Sequence, residues 1–259
     1  MDDGALSRGL TVFVLGELEV HQADRVLKNA AVGSRKARLV LAMLAVHKGY
    51  LPVDRIAFEV WGGRAPRDSG AGVATLVSRL RSVLGPRTIT GGRGGGYRLA
   101  EAVRVDLTTA ANLVGEAESH HSQERPATAL AAARRAMTLL DAGAVLAGEP
   151  EAGWLEPARA WQARLLRRVR QVSVEAALAT GDVRAAVHAA EEAAAADSFD
   201  EAACRLLMRS YRAAGEPVRA LLAADRLRGV LASELGVDPA PATQQLYLAI
   251  LRDTARAAG

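Results

Sequence analysis

The spacing of apolar residues changes twice along this chain, and each change marks a new kind of element. From Leu10 to Val20 the run LTVFVLGELEV is apolar and rich in β-branched residues, with one interruption at Gly16. That pattern predicts one or two strands with a bend. From Arg35 to Lys48 the spacing becomes helical, with Leu39, Ala42, Met43 and Val46 on one face and Ser34 placed as the cap. Gly49 ends this helix, and Pro52, Val53 and Asp54 open a second that stops at Gly62-Gly63. A third helix, Ala71 to Leu84, puts Val73, Leu76, Val77, Leu80 and Leu84 on one face. Thr75, Ser78 and Ser82 point the opposite way, with Arg79 and Arg81 on the flanks. Thr88–Thr90 and Tyr97–Leu99 are then short β-prone runs on either side of a glycine-rich tip, the pattern of a hairpin. Three helices followed by a hairpin form the layout of a winged helix-turn-helix.

From about Val105 onward the strand signal disappears and seven helical segments follow, joined by short breaks. Gly181, Asp182, Ala186 and Ala190 recur as Gly215, Glu216, Ala220 and Ala224, each pair 34 positions apart. This is the tetratricopeptide (TPR) period, in which paired helices stack and a last helix caps the array. The expected architecture is therefore an α+β N-terminal winged helix-turn-helix, residues 1–102, followed by an all-α TPR-like helical domain, residues 103–259.

Composition changes this picture in two respects. Half of the 259 residues are hydrophobic but only 4% are aromatic, so the cores must be built from Ala, Leu and Val. Charge is divided unevenly: residues 1–100 hold 15 Arg/Lys and 8 Asp/Glu, whereas the rest hold 18 and 21. A basic first part on a mildly acidic second part suits a polyanion-binding module joined to a body with another task. The one cysteine, Cys204, excludes an intramolecular disulfide, and its apolar neighbours mark it as a buried structural thiol. The opening MDDGALSRGL is acidic before it is apolar, against a secretory signal. No segment has the apolar length of a membrane span. A cytoplasmic, nucleoid-associated location is expected.

Residues 90–98, TGGRGGGYR, admit three readings: a linker, a phosphate cradle or a hairpin tip. A cradle needs Gly-Lys-Ser/Thr, but the three lysines follow Leu27, Arg35 and His47. A linker leaves the β-prone flanks unexplained. The wing of a winged helix remains, with Arg93 at its tip, where it can enter a minor groove. No zinc-ligand spacing, no Gly-x-Ser-x-Gly elbow and no His-Glu-x-x-His run occurs, so no enzyme, metal or cofactor is expected.

These residues resemble a known family. LGELEV, SRKARLVLAMLAVHKG, DRIAFEVWGG, VSRLRSVLG and GGYRL follow the OmpR-type winged helix of the Streptomyces antibiotic regulatory proteins. VDLTTAANLV, EAALATGD, LLMRSYRAAGEPVRAL and LASELGVDPAPATQQLYLAIL are similar to the bacterial transcriptional activation domain that follows it in that family. The resemblance covers nearly the whole chain. It implies that Arg79 and Arg81 are recognition-helix arginines, with Thr75 and Ser78 nearby, and that Arg93 and Arg98 belong to the wing; Ser82, on the same helix face as Thr75 and Ser78, joins them as a candidate DNA contact. It makes Trp61 a core residue. It implies a pathway-specific activator of a secondary-metabolite gene cluster that binds direct repeats in double-stranded promoter DNA as a side-by-side dimer. RNA polymerase holoenzyme, including its sigma factor, is the implied protein partner. Longer relatives add an ATPase module, and the resemblance is to the small class without it. Where relatives carry larger polar residues at the start of the recognition helix, this chain has Gly70, Ala71 and Gly72, which weakens the first turn. The rival reading is a TPR-like scaffold whose basic domain binds an acidic protein.

Overall fold

The computed structural model describes residues 9–62 and 67–257. Residues 1–8 lie outside the described residues, as does Gly63, the second of the two glycines expected to stop the second helix. The chain forms two compact units, residues 1–112 with 137–165, and residues 113–136 with 166–259.

The first unit begins with β1 (Thr11–Phe13), β2 (Glu19–Gln22) and β3 (Arg25–Lys28), joined later by β6 (Arg104–Val105), in the order β3-β2-β1-β6. Val12 pairs antiparallel with Val20 and parallel with Val105, and both Val12 and Val20 are fully buried. Alternation along β1 explains this, since Val12 and Val14 share one face. The bend expected at Gly16 is present, with φ +86°. It admits the segment around Ala144–Ala147: Gly16 N donates to Ala144 O (3.0 Å) and Ala147 N donates to Gly16 O (2.9 Å). A side chain at Gly16 would stand 3.2 Å from Ala142 O.

β3 and β6 were not expected. β3 buries only Leu27 and carries charge at both ends, so it has little hydrophobic alternation. β6 is two residues long and exists because β1 offers a free edge.

Asp106 anchors this sheet to the next helix. Its carboxylate accepts from Val14 N (2.9 Å), Leu15 N (2.9 Å) and Leu107 N (2.7 Å), and the residue is 2% exposed. Burial pushes the carboxyl above its usual value, while these backbone donors pull it down. Three helices lie between β3 and the wing: α1 (Arg35–Val46), α2 (Val53–Trp61) and α3 (Ser69–Leu84). Ser34 caps α1 by accepting from Ala37 N (3.3 Å), as its position predicts. Val40, Leu41, Ile56, Val73, Val77 and Leu80 form the core beside the sheet. Trp61 does not join it. It is half-buried, with the Lys36 ammonium 5.2 Å from its ring centre. Lys48 similarly lies 4.3 Å over Trp161.

The helices beyond are α4 (Asp106–Ser122), α5 (Pro126–Leu140), α6 (Glu156–Ala179), α7 (Val183–Ala196), α8 (Glu201–Ala213), α9 (Pro217–Leu235) and α10 (Pro241–Ala257). In the second unit the 34-residue period is a repeated turn. Gly181 and Gly215 take φ +77° and +74°, and Asp182 N→Ala177 O and Glu216 N→Tyr211 O are both 2.9 Å. Ala186, Ala190 and Ala220 are fully buried and Ala224 nearly so, which lets adjacent helices approach closely. Cys204 lies in this core, its thiol pushed up to about 11 by burial, which leaves it protonated and unreactive at neutral pH.

Candidate nucleic-acid interface

α3 starts at Ser69, two residues earlier than the apolar spacing indicates. Asp68 explains the difference: its side chain accepts from Ala71 N (2.7 Å) and its carbonyl from Gly72 N (3.2 Å). This cap holds the glycine-containing first turn in helical form and offsets the low propensity of Gly70 and Gly72.

The buried face of α3 is the one that the spacing predicts, Val73, Leu76, Val77, Leu80 and Leu84. Thr75, Ser78, Arg79 and Ser82 are exposed on the other side. Thr75 Oγ1 donates to Ala71 O (2.9 Å) and Ser82 Oγ to Ser78 O (3.1 Å), so each hydroxyl keeps acceptor capacity outward. Arg79 makes no hydrogen bond or ion pair among the described residues. Four neutral or cationic polar side chains therefore share one convex surface.

Arg81 is placed differently from Arg79. Its Nε and Nη2 donate to Ile89 O (3.1 and 2.9 Å), and Nη2 also reaches Gly91 O (3.2 Å). The guanidinium lies 5.9 Å from the Tyr97 ring centre. Its donors are directed at the hairpin, so Arg81 positions the wing against α3. Replacing it with Ala should cost about 1–2 kcal/mol of stability, as charge-assisted bonds that are partly exposed do. Urea unfolding measures the loss, and faster amide exchange confined to residues 89–97 locates it. An unchanged midpoint and unchanged exchange would remove this role.

The wing itself is β4 (Ile89–Gly92) paired with β5 (Gly96–Leu99), from Ile89↔Leu99 to Gly92↔Gly96, with Arg93 exposed at the tip. The five glycines divide into two kinds. A Cβ on Gly91 (φ +99°) would stand 2.1 Å from Gly96 O, and one on Gly96 (φ +83°) 2.4 Å from Leu51 O. Gly92, Gly94 and Gly95 would meet nothing within 4 Å. The close approach at Gly96 lets Tyr97 N donate to Leu51 O (3.0 Å) and Leu51 N to Tyr97 O (2.8 Å), fastening the wing to the turn between α1 and α2. Tyr97 is buried at the base of the wing.

Arg98 sits lower. Its guanidinium lies 4.9 Å over the ring of Tyr50 and 3.4 Å from Glu101 Oε1, and its Nε is buried without a partner among the described residues. Tyr50 is 49% exposed beside it. Sequence reasoning did not single out Tyr50, because it falls in a turn where no periodicity marks a face.

Comparison with known proteins gives this geometry a family. The bacterial transcriptional activator domain model matches residues 105–251. The regulatory protein AfsR of Streptomyces coelicolor is 33% identical over 97% of this chain. The chain belongs to the Streptomyces antibiotic regulatory protein family. It has that family's architecture, an N-terminal winged-helix region with a helical domain after it. The chain spans a quarter of the length of AfsR. It is also 29% identical to the transcriptional regulatory protein MoaR1 of Mycobacterium tuberculosis, over 92% of this chain and 78% of that protein. The solved structure of Mycobacterium tuberculosis EmbR in complex with a low affinity phosphopeptide superposes with a TM-score of 0.84 at 26% identity, covering 94% of this chain and 65% of that chain. Among the described residues no group of three or more His, Cys, Asp or Glu could hold a metal ion. No helix among them is long and apolar enough to cross a membrane.

Proposed function

We propose that this protein is a transcriptional regulator, a sequence-specific DNA-binding activator, with residues 1–102 as the DNA-binding domain and residues 103–259 as the activation domain. The observation that carries the reading is the surface of α3, where Thr75, Ser78, Arg79 and Ser82 are exposed beside a wing that presents Arg93. Short hydroxyls and an unpaired guanidinium suit base edges in a major groove. A wing-tip arginine suits the adjacent minor groove or its phosphates. Arg81 serves this surface by holding the wing, and Arg98, stacked on Tyr50, faces the backbone from the wing's base. The net +7 of residues 1–100 supplies the attraction to a polyanion.

The rest of the proposal comes from the family. Two protomers bind side by side on direct repeats near a promoter of a secondary-metabolite cluster. The helical domain contacts RNA polymerase holoenzyme and its sigma factor, and the protein works in the nucleoid.

Footprinting on promoters recovered from the host's own chromatin tests the reading. Arg79→Ala should weaken specific binding by about 1–3 kcal/mol and relax sequence preference. Arg93→Ala should weaken specific and random duplex alike and reduce the salt slope by about 1. A wild-type protein with no preference for promoter over random DNA at physiological salt would favour the scaffold reading instead.

A further inference from the structure

The second unit contains a cavity that is no part of the proposed DNA-binding surface. It opens between α7, α8 and α9 and has a volume of about 520 Å³. Its origin lies in composition. α7 ends in four alanines, Ala193 to Ala196, and Ala194 and Ala195 line the space that larger side chains would otherwise fill. The floor is apolar, formed by Ala194, Cys204, Leu207, Ala223, Leu227 and Val230.

Each charged group around it has a partner, in another side chain or in a backbone amide, with one exception. Tyr211 Oη donates to Glu191 Oε1 (2.7 Å), and Arg219 Nη2 donates to both Glu191 Oε1 and Tyr211 Oη (2.9 Å each). The other arm of Arg219 is taken by Glu216 (2.7 Å). Asp200 caps α8 by accepting from Ala202 N and Ala203 N, and Asp197 accepts from Phe199 N and lies 3.9 Å from Arg167. Arg226 is the exception. It lines the cavity, is exposed, and makes no hydrogen bond or ion pair among the described residues. An apolar floor with one unmatched cation at its rim is the complement of an amphiphilic anion.

We propose that this cavity binds a small apolar molecule carrying one acidic group, with the acid on Arg226 and the apolar body over the floor between Ala194 and Leu227. The volume suits a ligand of drug-like size. α7 belongs to one repeat, and α8 and α9 to the next, so an occupant bridges two repeats and stiffens the stack. Bound ligand therefore raises the stability of the helical array by mass action.

The probe for the test is 8-anilinonaphthalene-1-sulfonate, an apolar aromatic with one permanent negative charge, titrated into the full chain by fluorescence. Saturable binding of one probe per chain is expected. Ala194→Phe should weaken binding at least tenfold by filling the floor. Arg226→Ala should weaken it about fivefold, while an uncharged naphthylamine binds wild type and Arg226→Ala equally. If circular dichroism shows that Ala194→Phe is not folded, Val230→Phe fills the opposite wall and takes its place. Binding that ignores both the filling substitution and Arg226→Ala overturns the proposal. Loss on filling with no effect at Arg226 overturns the assignment of an acidic ligand.

Discussion

Replacing Asp106 with Ala should lower the stability of the first unit by about 3 kcal/mol or more. Three buried backbone donors, those of Val14, Leu15 and Leu107, converge on this one carboxylate. Alanine leaves all three without an acceptor, and each unsatisfied buried group costs about 1–3 kcal/mol. Asp106→Asn should recover only part of the loss. One amide oxygen can serve Val14 N and Leu107 N, but the amide nitrogen then faces Leu15 N, donor against donor. The expected order of urea midpoints is wild type, Asn, Ala. Burial holds the folded carboxyl above its usual value, so the folded chain takes up this proton before the unfolded chain does. The wild-type margin over Asp106→Ala is therefore largest at low pH and narrows as the pH rises through the carboxylate range. Equal midpoints for wild type and Ala at every pH would show that the carboxylate is not the anchor of β1.

Gly96→Ala is the second large effect. The methyl group would stand 2.4 Å from Leu51 O, on a backbone with φ +83° that L side chains rarely adopt. The strain alone costs about 1–3 kcal/mol, and relieving the overlap requires the wing to part from Leu51. We expect a loss of about 2–4 kcal/mol in all. The Leu51 and Tyr97 amides, hydrogen-bonded to each other's carbonyls in the wild type, should exchange much faster in the variant. Gly94→Ala is the control, since its Cβ meets nothing within 4 Å. It should fall within about 0.5 kcal/mol of wild type, as surface substitutions do. Similar amide exchange in Gly96→Ala and Gly94→Ala would mean that the wing tolerates displacement at its base.

Much of this molecule is legible in local pattern. The helical face of α3, the Ser34 cap and the 34-residue turn at Gly181 and Gly215 all appear where spacing places them, because each rests on contacts within a few residues in sequence. β3 and β6 were invisible because their pairing depends on β2 and β1, and their own residues barely alternate. Trp61 was expected in the core and lies half-buried under Lys36, a contact that the helix wheel of α2 does not contain.

The residues proposed to face DNA show the same division. Residue order alone determined that α3 carries an apolar face and a polar one, since a period of 3.6 residues leaves no other arrangement. It also determined that a glycine-rich hairpin with an arginine at its tip follows that helix. Only the tertiary structure separated Arg79 from Arg81, two positions apart and alike in chemistry, because the carbonyls of Ile89 and Gly91 come within reach of one and not the other. Tertiary packing likewise sorted the five glycines, making Gly91 and Gly96 steric requirements and leaving Gly92, Gly94 and Gly95 open, because the neighbouring backbone approaches the hairpin only at its base.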